Sequence, residues 1–284
     1  MEFDYLEEMP EDKMDYFCDK VLKKDWPNSI NVYYFIKTGF KWNNKNAAST
    51  YKLYYVPNDI DNGTFLGIYH QPGGKHPTIF VPYTSPGNEQ QLQTVLRNTK
   101  VINWQTKPYF QAVLERITGI VESTIRLKCS NEYSYAPCII HWMPANEAAN
   151  LELKVPEDVI IGPLNKDHVD FTYSHWTHGD VYSKYDVWDT INLNFGLGVF
   201  DRQNNDLLAW GMCGSYGGVT TVMVLPKCRN NGYGVLIAKA VTKEMGERGI
   251  SPHGIIDEDN VASLKMARKI GYRKSERVVF FEPR

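Results

Sequence analysis

The run Val224-Leu225-Pro226-Lys227-Cys228-Arg229-Asn230-Asn231-Gly232-Tyr233-Gly234-Val235-Leu236 is where residue types and spacing most clearly imply chemistry. A β-rich stretch ends at Pro226, and Arg-x-x-Gly-x-Gly then opens a segment with helical apolar spacing. The first N–H groups of a helix lack carbonyl partners and carry partial positive charge, so they form a ready anion site. Arg229 adds a full charge and a fork of donors suited to phosphate. Gly232 lets a phosphate approach the backbone, and Gly234 lets the first helical turn pack on a neighbouring strand. Two other phosphate loops are excluded. The dinucleotide fingerprint needs a third glycine where Ile237 stands. Gly73-Gly74-Lys75 is no P-loop, because Tyr69 occupies the first glycine position and His76 follows the lysine.

A second segment, Asn260-Val261-Ala262-Ser263-Leu264-Lys265-Met266-Ala267-Arg268-Lys269-Ile270-Gly271-Tyr272, has a helix N-cap in Asn260 and a terminator in Gly271. Arg268 and Lys269 suit the negative end of that helix. Taken alone it is a well-capped helix and nothing more.

Together the two segments resemble the GNAT acyltransferase superfamily. Val224-x-Pro226-x-x-Arg229-x-x-Gly232-x-Gly234 is similar to its coenzyme A pyrophosphate loop. Asn260-x-x-Ser263 through Gly271-Tyr272 is similar to its later Asn-helix-Gly-aromatic segment. The resemblance covers residues 160–281. A degenerate lobe ahead of an intact one also resembles the glycine N-acyltransferase-like branch, whose members acylate amino groups of small molecules. The resemblance implies that Met223 and Val224 offer backbone to the pantetheine arm, an N–H near Met223 polarising the thioester carbonyl. It implies that Arg229, Asn230, Asn231, Gly232, Tyr233 and Gly234 hold the pyrophosphate, and that Asn260 contacts the arm or fixes the following helix. Acetyl-CoA or another acyl-CoA would be the co-substrate, with no metal. The implied partners are that donor and a small-molecule amine, not nucleic acid and not a membrane.

The sequence departs from the family at the base and the acid. Many relatives carry Glu on the strand before the phosphate loop, whereas Val219 to Leu225 holds Thr220 and Thr221 but no carboxylate. Many carry Tyr in the later helix where Ala267 stands. Substitute bases are His175, His178 and Asp257. The two histidines have i, i+3 spacing that also suits a metal, but no third ligand is identifiable, and Asp257 fits a turn or cap equally well. Tyr173, Trp176, Tyr182 and Trp188 suit either an apolar acceptor wall or plain packing. The leading function is an N-acyltransferase moving an acyl group, in the first instance acetyl, from CoA to a small-molecule amine. A peptide or protein N-acetyltransferase and a noncatalytic acyl-CoA-binding protein stay open beside it.

These residues need elements to position them, and the order of elements repeats along the chain. In the first half, helices at Pro10 to Leu22 and Ile30 to Ile36 precede three short β-rich runs at Tyr51 to Val56, Thr64 to Tyr69 and Thr78 to Val81. A polar helix at Glu89 to Arg97, a strand near Val101 to Trp104, a helix over Pro108 to Arg126 and a strand at Cys138 to Trp142 follow. In the second half, Ile160 to Leu164 is a strand and Asn165 to Trp176 helical. Gly198 to Asp201, Leu207 to Cys213 and Val219 to Leu225 then form a meander. A helix from Gly232 to Arg248, a strand at His253 to Ile256, a helix at Asn260 to Ile270 and a strand at Val278 to Phe281 complete the order. The expected fold class is α/β (α+β): two tandem GNAT-like lobes, each a mixed, mostly antiparallel sheet flanked by helices. Residues 1–150 would be the degenerate lobe and 151–284 the acyl-CoA-binding domain, two unrelated domains of similar composition being the alternative. In the first lobe Pro82-Tyr83-Thr84-Ser85-Pro86-Gly87 lacks the Arg-x-x-Gly-x-Gly pattern, so that lobe reads as scaffold, acceptor wall or pairing surface.

Composition agrees with a folded, water-exposed chain. Over 284 residues, 43% hydrophobic and 23% charged content excludes disorder, collagen and coiled-coil arrays. Lys+Arg 31 against Asp+Glu 33 leaves no net basic charge to draw the whole chain to nucleic acid or an anionic membrane. The acidic start lacks a secretion signal's cationic flank, and no apolar run approaches the ~20 residues of a spanning helix. A cytoplasmic location is expected. Cys18, Cys129, Cys138, Cys213 and Cys228 are scattered and read as reduced thiols, a Cys129–Cys138 bridge being the alternative. Asn62-Gly63-Thr64 fits a glycosylation acceptor, but reads first as a turn.

Overall fold

A computed structural model describes residues 4–176, 179 and 181–284; His178, one of the base candidates, lies outside the described residues. The chain divides into two compact units, one of residues 1–71, 76–140 and 275–284, the other of residues 72–75 and 141–274.

The first unit opens with a two-residue strand β1 (Glu7–Glu8) and helix α1 (Glu11–Tyr16), which begins just after Pro10 with acidic residues in its first turn. Further helical turns run to Asp25. Helix α2 (Ile30–Asn43) buries Ile30, Val32, Phe35, Ile36 and Trp42 along one side. Its Gly39 marks a close approach, since a Cβ there would lie 3.0 Å from Tyr51. Strands β2 (Thr50–Tyr55), β3 (Phe65–His70) and β4 (Thr78–Tyr83) form the expected antiparallel meander, followed by helix α3 (Glu89–Asn98).

Next come strand β5 (Tyr109–Leu114) and helix α4 (Glu115–Lys128), where the sequence predicts one helix. All of Tyr109 to Leu114 are buried, so both faces of β5 are covered and the polar alternation that marks a strand is lost. The strand expected at Val101 to Trp104 is instead a stretch of bends and a single helical turn. β5 runs parallel to β4, paired at Ile79/Tyr109 and Phe80/Phe110. Strand β6 (Tyr133–Trp142) follows.

The second unit contains helix α5 (Ala145–Ala149), strand β7 (Val159–Pro163), helices α6 (Val169–Ser174) and α7 (Lys184–Asp189), and strands β8 (Phe195–Asp201), β9 (Leu207–Cys213) and β10 (Val219–Val224). Helix α8 (Tyr233–Glu247), strand β11 (His253–Asp257) and helix α9 (Val261–Ile270) complete it. The order β10-β9-β8-β7 is antiparallel throughout. α8 covers one face of this sheet: a Cβ on Gly211 would meet Val241 at 3.2 Å and Ile237 at 3.7 Å. Side chains alternate along β9, so Leu208, Trp210 and Met212 face the other way.

The last strand, β12 (Arg273–Pro283), belongs to the first unit from Ser275 onward. It lies between β5 and β6, antiparallel to β5 through Val278/Leu114 and Val279/Val113. Val278 and Phe281 are fully buried there. All five cysteines are free, so Cys129 and Cys138 are not bridged. Among the described residues no helix is long and apolar enough to cross a membrane, and no group of three or more His, Cys, Asp or Glu is placed to hold a metal.

Candidate functional site

β10 carries a bulge at the centre of the site. Thr220 pairs with Met212 and Met223 with Trp210, so Thr221 and Val222 together face the single residue Gly211. Thr221 takes a φ of 53°, a left-handed conformation that a β-branched residue adopts only under constraint. The Leu225 N–H donates to the Leu208 carbonyl at 3.0 Å. Backbone groups alternate sides along a strand, so Met223, expected to offer its backbone to the donor arm, instead turns its N–H and C=O toward Trp210, while Val224, as expected, and Val222 present theirs to the opposite edge.

Among the described residues that edge has no ladder partner, because β10 ends its sheet. β11 comes close only where both strands begin. A Cβ on Gly254 would be 3.4 Å from the Val219 carbonyl oxygen, and one on Gly218 would be 2.8 Å from that of His253. Beyond this contact, among the described residues, β10 and β11 are not paired in a ladder, which leaves a sheet edge beside β11.

At the end of β10, Pro226–Cys228 makes one helical turn, closed by Cys228 N–H on the Leu225 carbonyl at 2.8 Å. Asn230 (φ 66°) and Gly232 (φ 82°) then adopt left-handed backbone, which brings the chain into α8 at Tyr233. Among the described residues the N–H groups of residues 230–235 donate to no main-chain carbonyl; the first to do so is Leu236, on Gly232 at 3.1 Å. The Asn231 side-chain amide pins the loop by donating to the Cys228 carbonyl at 3.3 Å.

A Cβ on Gly232 would meet nothing within 4 Å, so there is open space at that residue. A Cβ on Gly234 would be 3.4 Å from Val224 Cγ2, the packing of first turn on strand that the spacing predicts. Arg229 is exposed and, among the described residues, has no ion-pair or hydrogen-bond partner for its guanidinium. Tyr233 turns its ring into the core and donates its hydroxyl to Asp158 Oδ2 at 3.2 Å, leaving its N–H at the helix start. Burial, then the Asp158 carboxylate, raise the Tyr233 pKa.

Asn260 fixes α9: its Oδ1 accepts the Ser263 N–H at 3.0 Å. Gly271 (φ 105°) ends that helix, and the Tyr272 N–H returns to the Ala267 carbonyl at 3.0 Å. Tyr272 shares a 2.7 Å hydrogen bond with Thr242 of α8 and is raised in pKa by burial. Its hydroxyl is thus tied between helices, while the Ala267 position has none.

Of the base candidates, Asp257 accepts the Asp259 N–H at 2.7 Å and so organises a turn. His175 ends α6 with Nδ1 2.8 Å from the Phe171 carbonyl oxygen. A carbonyl only accepts, so Nδ1 is the donor of this contact and Nε2 is the ring nitrogen on the far side from it. The same ring meets Trp210 edge-on at 6.0 Å, and Trp210 is the cross-strand neighbour of Met223 beside the bulge. Trp176 stacks on Tyr182 at 5.0 Å, Tyr173 donates to the Gly179 carbonyl at 2.8 Å, and Trp188 is exposed.

One residue that the sequence did not single out is Tyr216, in the turn between β9 and β10. Its hydroxyl donates to the Val219 carbonyl at 2.6 Å, and its ring meets His253 edge-on at 5.6 Å. His253 is fully buried, which lowers its pKa to about 4. The available signal was an aromatic residue set among the glycines of Gly214-Ser215-Tyr216-Gly217-Gly218, a pattern that otherwise reads as a plain turn.

The first unit carries charged groups of its own near the end of β4 and the start of α3. At the start of α3 the Glu89 carboxylate takes the Gly87 N–H at 3.1 Å. Arg116 of α4 donates to Asp25 at 2.8 Å, to Glu276 at 3.0 Å and to the Thr84 carbonyl at 2.8 Å, while Tyr83 donates to Asp25. Burial raises the Glu276 pKa, with Arg116 opposing it. A helix start that already carries a carboxylate repels an added diphosphate.

The FR47-like protein family matches residues 196–281, and a domain of unknown function, DUF5645, matches residues 5–124. The X-ray structure of a Drosophila protein has a TM-score of 0.89 at 18% identity, covering 99% of each chain. A tandem GNAT protein from the clavulanic acid biosynthesis pathway has a TM-score of 0.56 at 10% identity, covering 98% of each chain. A GCN5-related N-acetyltransferase from Kribbella flavida has a TM-score of 0.52 at 13% identity, covering 77% of this chain and 87% of its own. A search of curated protein sequences found no match. The chain has a tandem GNAT fold, with mixed α/β lobes whose sheets are flanked by helices.

Proposed function

We propose that the second unit is an acyl-CoA-dependent N-acyltransferase that moves an acyl group, in the first instance acetyl, onto the amine of a small molecule. The observation that carries this reading is a row of unpaired helix-start amides beside an unpaired guanidinium, at the end of a strand edge with no ladder partner. Diphosphate suits the amides of Asn231 to Val235 and Arg229. The edge groups of Val224 and Val222 suit the amides of an extended pantetheine arm, as an added strand would. The glycine N-acyltransferase-like layout favours a small-molecule amine as acceptor.

In the reaction the neutral amine attacks the thioester carbonyl. The C–N bond forms, the C–S bond breaks, and an edge N–H near the bulge steadies the oxygen as it gains charge. His175 Nε2 takes the amine proton, directly or through a water, and the thiolate leaves, to be protonated by solvent. A thiol pKa near ~8.5 makes that departure feasible without a tyrosine at Ala267. The missing carboxylate on β10 favours a second reading, a noncatalytic acyl-CoA carrier.

One screen separates the two. The full chain is offered acetyl- and longer acyl-CoA with amino acids, arylalkylamines, polyamines and peptides, and thiol release is followed. Turnover with a free amine is expected, and His175→Gln is expected to lower kcat roughly a hundredfold or more while leaving donor affinity near the wild-type value. Tight donor binding with no turnover on any amine establishes the carrier instead.

A further inference from the structure

The unpaired edge of β10 is closed at one end. Val219 lies at that end, and its backbone faces the open edge, because Gly218 faces β9 through its carbonyl bond to Gly214 N–H at 2.8 Å. The Val219 oxygen is met there by the Tyr216 hydroxyl at 2.6 Å, and Gly254 of β11 faces the same oxygen, so the phenol tip is wedged where the two strands converge. Behind it the ring packs edge-on to buried His253. No larger residue than glycine fits beside it at Gly218, whose Cβ would fall 2.2 Å from the Tyr216 ring and 2.9 Å from His253 Nε2. Tyr216 is held by its hydrogen bond, by His253 and by the turn around it.

An extended arm that uses Val224 and then Val222 runs out of straight edge at the Thr221 bulge. Beyond that point the edge leads to Val219, whose carbonyl oxygen carries the Tyr216 hydroxyl.

We infer that Tyr216 is the end wall of the acyl site and restricts the donor to short acyl groups of acetyl or propionyl size. This rests on the donor reading given above and adds the residue that sets the length limit. No covalent chemistry is assigned to Tyr216, since its place is beyond the reacting carbon and its hydroxyl is spent on Val219. The limit is steric: a longer chain has to displace a ring anchored at both ends.

The test compares CoA, acetyl-CoA, butyryl-CoA and octanoyl-CoA binding to the full chain by calorimetry, each affinity expressed relative to CoA on the same protein. Wild type is expected to bind butyryl-CoA at least ~10-fold more weakly than acetyl-CoA, and octanoyl-CoA more weakly still, in the range that extra methylenes cost in a closed pocket. Tyr216→Ala is expected to remove most of that gap. Tyr216→Phe, which keeps the ring and loses the bond to Val219, is expected to retain it. Equal relative affinities across the series in wild type overturn the inference without any variant, as does an unchanged gap in Tyr216→Ala. In those outcomes CoA still binds and the donor site stands. Absence of binding by CoA itself overturns the donor site, and the end wall with it.

Discussion

Gly232 and Gly234 stand two positions apart but have different reasons to be glycine. Gly232 has open space around it and a φ of 82°. Gly232→Ala therefore pays about 1–2 kcal/mol in backbone strain and also places a methyl group where the diphosphate should lie. Gly234 has ordinary helical backbone, and a Cβ there makes a normal contact with Val224. Gly234→Ala is expected to melt near wild type, whereas Gly232→Ala should lose several degrees and most CoA affinity. If the two variants melt and bind alike, the loop has been misread. Both glycines and Arg229 were legible in the sequence because a phosphate loop depends on local backbone. Tyr216 was not, because its partner His253 comes from a strand beyond α8, and only the fold brings the two together. His175 was visible as a residue type, but the contact of its Nδ1 with the Phe171 carbonyl, which orients the ring, depends on how α6 ends.

At the scale of elements, β11 carries a prediction of pH dependence. His253 opens the strand and is fully buried, with its pKa lowered from the ordinary 6.5 to about 4. Between those values the unfolded chain binds a proton that the folded chain refuses, so stability rises with pH. The contribution is present in full above pH 6.5 and lost as pH falls toward 4, by up to about 3 kcal/mol. Thermal melting followed from pH 7 to 4 is expected to decline less steeply in His253→Leu than in wild type; parallel declines would contradict the assignment. The meander β8-β9-β10 and helices α8 and α9 were legible because turn residues and caps mark their ends. β5 was misread as helix because burial on both faces erased the pattern, and the Thr221 bulge leaves no mark in residue types at all.

For the whole molecule, the final strand is the least local feature. Residues 275–284 belong to the first unit, where Phe281 is buried and Glu276 meets Arg116. The sequence shows a strand near Val278 to Phe281, but nothing in its pattern says that it pairs with β5, because strand pairing is set by long-range packing. Phe281→Ala is accordingly expected to destabilise the first unit by about 3–5 kcal/mol. Hydrogen exchange is the appropriate measurement, since it reads each unit separately. Faster exchange in β5 is the expected result, and unchanged protection there would contradict the strand's placement. The tandem layout itself was legible from the repeated order of elements, while the ion pairs of Arg116 with Asp25 and Glu276 required the three-dimensional arrangement.

In the proposed function the amides at the start of α8 and the Arg229 guanidinium hold the diphosphate of coenzyme A. Calorimetric titration of CoA into wild type and Arg229→Ala tests it most directly. Among the described residues Arg229 has no partner to lose, so the fold should be unaffected while affinity falls roughly ten- to a hundredfold, the worth of a charge-assisted hydrogen bond to phosphate. Equal affinity in the two proteins, or no binding by either, would contradict it.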